Sequence, residues 1–383
     1  MKKQFIIIVI LLFNCLFVGS QGRTIKTSIP GSDEILFKTP GQWFKYTDVW
    51  QVDHIAFNKS QQQEVSNRVD KIHEMMLKIY PEPMGVDVAW KRTLGYSTFA
   101  DQVTYVRTDE FSMDRRAVVE KPVASFGYVA GFFRHVCATD NVREIWSGYP
   151  GETGTWFNVS TNSLNGFAQE YFGNFDTLTI GGYPVHLRPP LKQNFDGYEI
   201  FYSKAVVDNP DVTPELFALV HRKGELPYIP VTRKQYLEKC LIHIEKFQDL
   251  MIKNFEQTPL MTGEGQGSKT EQLAELKKNK EAILKRYRDE LEQTTQQGFL
   301  DAPAIIPLTI YNMDEWSPIF VEENKGWMIV RANPNYMRKD LPKHVPQFFV
   351  MEWRWNNWQS QIEIGKLIEE EFPFDKLQSM IDK

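Results

Sequence analysis

The sequence predicts an α+β protein in which mostly antiparallel sheets are packed by amphipathic helices and accompanied by a long, charged helical hairpin. Three observations predict it. A strand leads directly into a capped helix between Phe217 and Cys240, the stretch from Val86 to Gly182 is mostly strand-like, and apolar stripes at helical spacing recur after Gln61, Arg233, Leu273 and Gln361.

The strand-to-helix passage is the most detailed. Phe217, Leu219 and, less cleanly, Val220 mark a strand that ends at Gly224, and Pro227 and Pro230 hold Tyr228 and Ile229 extended while opposing regular ladder pairing. Thr232 and Gln235 are spaced as a capping box, and Val231 and Tyr236 as its hydrophobic staple, so the helix begins at Arg233. Its stripe runs from Tyr236 through Cys240, Ile244 and Met251 to Phe255, before Pro259.

In chain order, Lys2 and Lys3, the apolar run Phe5 to Phe13 and the small residues Gly19 and Ser20 predict a secretory signal peptide over residues 1–20, cleaved near Ser20. The run is shorter than the roughly 20 apolar residues of a membrane span, so no transmembrane segment is expected after cleavage. A lipoprotein would carry its lipid on Cys15, but Leu12, Phe13 and Asn14 supply no small residue before it, which favours ordinary cleavage. The short, Lys-rich leader is of bacterial type and places the chain in the periplasm or outside the cell; the sequons at Asn58 and Asn158 matter only in a eukaryote.

Loss of the leader moves the formal net charge from -5 to about -7, and no basic patch remains, which argues against a nucleic-acid partner. A composition 42% hydrophobic and 13% aromatic belongs to a globular chain. Its length suggests two domains, 21–190 and 191–383, the second containing the hairpin 233–297. Cys137 and Cys240 are either a disulfide or two buried thiols, and the sequence leaves both readings open, as it does the oligomeric state.

Short extended pieces are expected around Trp43, Phe44, Trp50 and Val52. Ser60 and Gln63 predict a second capping box, with a helix from Gln61 whose stripe is Val65, Val69, Ile72, Met76 and Ile79 and whose stop is Pro81. Strands follow at Val103–Tyr105, Val118–Val119, Phe126–Val136 and Trp156–Val159, interrupted by the glycine-rich loop Gly148 to Gly154. The run from Gly197 through Asn209-Pro210 to Phe217 resembles the run from Gly326 through Asn333-Pro334 to Phe348, through either a duplicated hairpin or independent use of the same turn residues. Gly263, Gly265 and Gly267 predict a flexible tip over 258–269. Leu273, Leu276, Ile283, Leu284, Tyr287 and Leu291 then mark a charged helix to about Gln297, with Lys280 on its stripe, that packs antiparallel on the Arg233 helix. Finally, alternation puts Phe349, Met351, Trp353 and Trp355 on one strand face, under a helix from Gln361 to Phe372, and Glu352 with Arg354 on the other.

Chemical motifs are sparse. His73-Glu74 has Leu77 where a zinc helix needs its second histidine, and no Cys/His spacing suggests a metal, so neither metal nor cofactor is expected. Ser125 lacks the first glycine of a nucleophile elbow, and the Gly148 to Gly154 loop lacks the Lys-Ser/Thr of a phosphate loop. His135 with Asp140, and His221 with Arg222, are the only candidates for acid-base work, and a structural role suits each of them better. Trp353, Trp355 and Trp358 are candidates for stacking on a ligand wherever they are exposed. The expected function is non-catalytic binding of a glycan or protein partner by a secreted or periplasmic protein. The alternative is an extracellular hydrolase with a glycosidase-like carboxylate pair, which needs no local motif.

Overall fold

The computed structural model describes residues 37–50, 57–97, 103–106, 115–118, 123–137, 143–145, 154–164, 169–170, 172–173, 176–177, 179–181, 183–195, 197–202, 215–258, 266–307, 319–356 and 358–383. They form an α+β fold.

A large sheet is ordered β1 (Trp43–Lys45), β3 (Val86–Ser97), β6 (Val123–Cys137), β8 (Thr155–Thr161), β20 (Phe349–Arg354), β16 (Glu215–Val220), β15 (Tyr198–Tyr202) and β14 (Leu191–Phe195). β2 (Val49–Trp50) joins β3, and β7 (Arg143–Ile145) joins β6. Its pairings are antiparallel except for β1 and β2 on β3. Strands from both sides of residue 190 meet at the β8–β20 pair. A smaller sheet is ordered β12 (Thr179–Ile180), β13 (Tyr183–Arg188), β19 (Gly326–Ala332) and β17 (Tyr228–Pro230), with β9 (Gln169–Glu170) on β13 and β18 (Ile305–Pro307) on β19. Two ribbons pair β4 (Val103–Val106) with β5 (Arg115–Val118), and β10 (Phe172–Gly173) with β11 (Asp176–Thr177). The helices are α1 (Lys59–Ile79), α2 (Arg233–Gln257), α3 (Gln266–Gln296), α4 (Gln359–Glu371) and α5 (Phe374–Gln378).

Alternation along the strands assigns the layers. Leu216, Ala218, Met351 and Trp353 point to one face of the large sheet, where Val65, Val69, Ile72 and Met76 of α1 and Ile364 and Ile368 of α4 cover them. Phe217, Leu219 and Val350 point to the other face, against Met328 and Val330 of β19 and Tyr228 of β17. The outer face of the small sheet, with Leu187, Trp327 and Ile329, receives Tyr236, Leu237 and Cys240 of α2 and Tyr287 of α3. The order is therefore helices, large sheet, small sheet, helical hairpin. Burial on both faces explains the blurred alternation around Phe217, because a central strand needs no polar side.

The Thr232–Gln235 capping box is present, with both reciprocal hydrogen bonds, and Gly224 adopts the positive φ of a turn. The second box lies two residues earlier than expected. Asn58 at φ −72°, ψ 168° accepts from the Gln61 amide, while the Gln61 side chain accepts from the Asn58 amide, so Ser60 is already inside α1. An asparagine cap is at least as favourable as serine, and here it also finds a reciprocal partner. Tyr228 to Pro230 does pair, contrary to expectation, because β17 is the last strand of its sheet and an edge tolerates proline. The two similar segments differ in topology: β15 pairs with β16, whereas β19 and β20 lie in different sheets. That difference favours independent use of similar residues over a duplicated hairpin, and Asn209-Pro210 lies outside the described residues. Cys240 is a free, buried thiol, its pKa pushed up to about 12 by burial, so it is not half of a disulfide.

Candidate functional site

Among the sequence candidates, His135 is fully enclosed and its Nε2 lies 3.2 Å from Asp87 Oδ1, which also accepts from the Gln42 amide. Asp140, the partner expected for it, lies outside the described residues. His221 uses Nδ1 on the Arg222 carbonyl, and its own carbonyl accepts from Gln378. Arg222 is a structural node. It donates to both Asp382 carboxylate oxygens at 2.6 and 2.7 Å, to the Tyr336 carbonyl at 2.7 Å and to Gln347 Oε1 at 2.9 Å. A guanidinium so engaged, lying over the Tyr336 ring, has little left to offer a substrate.

The tryptophans separate. Trp353 is fully buried beneath α4, and Trp355 lies so close to Gly365 that a Cβ there would fall 2.5 Å from its ring. The strand alternation predicted this packing, and it removes both from any exposed platform. Trp358 is 37% exposed, but the Arg134 guanidinium already stacks 3.4 Å above its ring. Ser125, in β6, is half-buried.

The structure brings together two glutamates that the sequence reading did not pair. Glu215 opens β16 and lies opposite Arg354, while Glu352 on β20 lies between Phe217 and Asn158. Antiparallel register makes the two glutamates diagonal neighbours on the face turned toward the small sheet. Asn158 Nδ2 donates to Glu352 Oε2 at 3.4 Å, and an Arg354 nitrogen lies 3.7 Å from Glu215 Oε2. Burial, and then the neighbouring Glu215 charge, push the Glu352 carboxyl up to about 8. Burial also raises Glu215, against the pull of Arg354. The available signal was a single acid at the start of the apolar strand ELFALV, but pairing it with Glu352 required the strand register.

Glycosidase carboxyls stand about 5 Å apart to form a covalent intermediate, or about 6.5–9.5 Å apart to admit a water. The Glu215–Glu352 pair instead lies on the sheet face packed toward the small sheet, with the Glu215 side chain only 15% exposed, rather than across an open cleft. Among the described residues, no group of three or more His, Cys, Asp and Glu is arranged around a common metal position, and no helix is long and apolar enough to cross a membrane.

The hairpin α2–α3 is largely exposed over its outer half. The cluster that seats it on the small sheet reaches Ile244 in α2 and Ile283 in α3. Beyond these, α2 continues for about 20 Å at 1.5 Å per residue. Its outer half is exposed except along the seam with α3, where Ile252 is buried. Antiparallel register is held by Lys280 on Asp249 at 2.6 Å and Lys277 on Glu256 at 3.2 Å. Lys280 accordingly sits on the stripe as expected, with an ionic partner. α3 begins at Gln266, so the last four residues of the expected flexible tip are helical. Lys269 donates to the Glu256 carbonyl at 2.9 Å and to that of Thr258, capping the end of α2.

At this outer end the helices enclose a groove of about 570 Å³, lined by Met251, Phe255 and Leu276 with Asn254, Thr258, Gln272 and Glu275. A second groove, of about 430 Å³, lies between α1 and the chain end, lined by Glu64, Asn67, Arg68, Lys71, Ser379, Met380 and Lys383. No family model, no curated protein and no solved structure matches the chain.

Proposed function

We propose that this chain is a secreted or periplasmic, non-catalytic binding protein that engages a protein partner through the outer half of the α2–α3 hairpin. The observation that carries the reading is that this half contributes nothing to the sheet-packed cores. Its apolar residues instead join two helices into an arm with an apolar groove and a charged exterior. Helical arms of this kind present side chains at fixed spacing and give a partner apolar anchors inside a polar rim. A glycan platform has less support, because Trp353 and Trp355 are packed inside and one face of Trp358 is covered. The position of the Glu215–Glu352 pair on the face between the two sheets likewise speaks against the hydrolase alternative.

The test compares the full chain with a variant in which residues 246–281 are replaced by a short turn, each carrying a photo-crosslinking residue and incubated with envelope and secreted proteins of its source. The groove bait should place its crosslinker at Asn254, and the shortened bait at Ile242. A discrete crosslinked protein should form with the full chain, be lost with Met251→Asp, and be absent with the shortened chain, whose melting temperature should stay within a few degrees. Equal crosslinking by both chains, or binding to arrayed glycans with no protein captured, would overturn the reading.

A further inference from the structure

Taking the outer hairpin as the binding arm inferred above, we propose that its groove holds an amphipathic helix of the partner protein, one that brings two apolar side chains a turn apart and a lysine or arginine beside them.

The face of α2 that lines the groove is the face that packs the small sheet at the root of the arm. Tyr236, Cys240 and Ile244 make that packing. Met251 and Phe255 return to within roughly 20° of the Ile244 direction around the helix. There the sheet has ended, and neither residue belongs to a core cluster of the described residues. The stripe is thus continued past its own partner, and Leu276 of α3 closes the other side of the groove. Met251, Asn254, Phe255 and Thr258 run from i to i+7, about 10 Å of helix, which matches two turns of a second helix laid along them. Two turns present apolar side chains at i and i+4, the spacing of a helix seated in a groove. An extended peptide would need a sheet edge for its backbone hydrogen bonds, and two helices offer none.

The lysines of the arm are already engaged within it. Lys280 is on Asp249 at 2.6 Å, Lys277 is on Glu256 at 3.2 Å, and Lys269 donates to the Glu256 and Thr258 carbonyls at the end of α2. Among the described residues that line the groove, Glu275 is the one charged side chain. Its contact with Lys278 is at 4.0 Å, and the two side chains are 60% and 78% exposed, so water screens that contact heavily. The groove therefore offers apolar walls with a carboxylate at its α3 edge, and a cation on the flank of the bound helix complements both.

The experiment uses the full chain and fluorescently labelled helical peptides of an alanine–glutamine background. Each carries two leucines four positions apart and the same residue, Lys, Gln or Glu, on both flanks of that pair. Anisotropy at low ionic strength should show the Lys peptide binding about tenfold more tightly than the Glu peptide, with the Gln peptide between them and the gap closing in high salt. Glu275 is exposed on α3, so Glu275→Gln and Glu275→Lys should both fold. The first should bring the three peptides within about twofold of one another, and the second should invert their order. A Lys peptide with its leucines two positions apart, the spacing of a strand, should bind more weakly than its helical counterpart. Equal affinity for the Lys and Glu peptides, a preference that survives Glu275→Gln, or no peptide binding at all overturns the proposed occupant. In each of these cases a protein crosslinked through Asn254 leaves the binding arm standing, whereas loss of that crosslink is what strikes the arm itself.

Discussion

α1 and the α2–α3 hairpin are both amphipathic helical elements, yet they use their apolar residues in opposite ways. In α1, Val65, Val69, Ile72 and Met76 are all fully buried against the large sheet. In α2 only the first turns reach a sheet, Met251 is 38% exposed and Ile242 is 50% exposed. The difference teaches that a helical stripe says how many neighbours a helix has, not whether it belongs to a core. α1 carries a stripe wide enough for a sheet, while the outer hairpin carries a seam for one partner helix. Core stability and exposed surface are thereby separated along the chain, and substitutions in the two regions should differ in kind.

The largest contrast is between Trp353 and Met251. Trp353→Ala empties a fully buried site beneath α4 and should cost about 3–5 kcal/mol, whereas Met251→Ala on the arm should change stability by no more than about 0.5 kcal/mol. Denaturant unfolding of the two variants measures both. Similar losses would show that the arm is part of the same cooperative core and would break the comparison.

Gly365 sharpens it further. In an exposed helix interior, glycine to alanine gains about 1 kcal/mol from helix propensity. At Gly365 the new Cβ would meet the Trp355 ring at 2.5 Å, and overpacking of that kind costs about 1–3 kcal/mol. The steric term is the larger, because the ring is wedged between strand and helix, so Gly365→Ala should lower the midpoint of unfolding. A raised midpoint would mean that Trp355 swings away freely and that α4 is not tightly seated.

Legibility from sequence divides along the same line. The Thr232 box, the α1 stripe and the alternation from Phe349 to Trp355 were readable because each depends on residues within a few positions of one another. The Glu215–Glu352 pair was not readable, since 137 positions separate the residues and only the β16–β20 register makes them neighbours. Arg222 was visible as an unusual residue, but its partners Asp382, Gln347 and Tyr336 all come from the last part of the chain, so its role as a node was not. The misplaced second box is a local error of another kind. Asn58-Lys-Ser-Gln61 and Ser60-Gln-Gln-Gln63 both fit the pattern, and backbone entry into α1 selects the first.

That selection is testable with a smaller effect. Asn58→Ala should cost about 1 kcal/mol, as should Thr232→Ala, because each strips the side-chain acceptor from a reciprocal cap. Ser60→Ala, inside the first turn and without a capping bond, should be close to neutral or slightly favourable. Thermal unfolding of the three variants checks the ranking; a loss at Ser60 equal to that at Asn58 would move the start of α1.

The smallest effect belongs to the arm itself. Lys280 lies on the apolar seam of α3, which in a sheet-packed helix such as α1 would strand a charge and be strongly unfavourable. Here its ammonium reaches Asp249 at 2.6 Å, and that hydrogen bond raises its pKa above the ordinary lysine value. Asp249 is 60% exposed, so water and salt screen the pair, and exposed pairs contribute about 0–1 kcal/mol. Lys280→Met should therefore be tolerated, shifting stability by about 0.5 kcal/mol or less, with the shift shrinking further in high salt. The equivalent pattern in α1 has no room for such a residue: Ile72→Lys should unfold that region, because Ile72 is fully buried in an apolar cluster. Circular dichroism melts of K280M at low and high salt, beside those of I72K, decide whether the two stripes differ as their surroundings imply. A large loss at Lys280, insensitive to salt, would mean that the seam is as dry as a core and that the arm is held by burial rather than by its ion pairs.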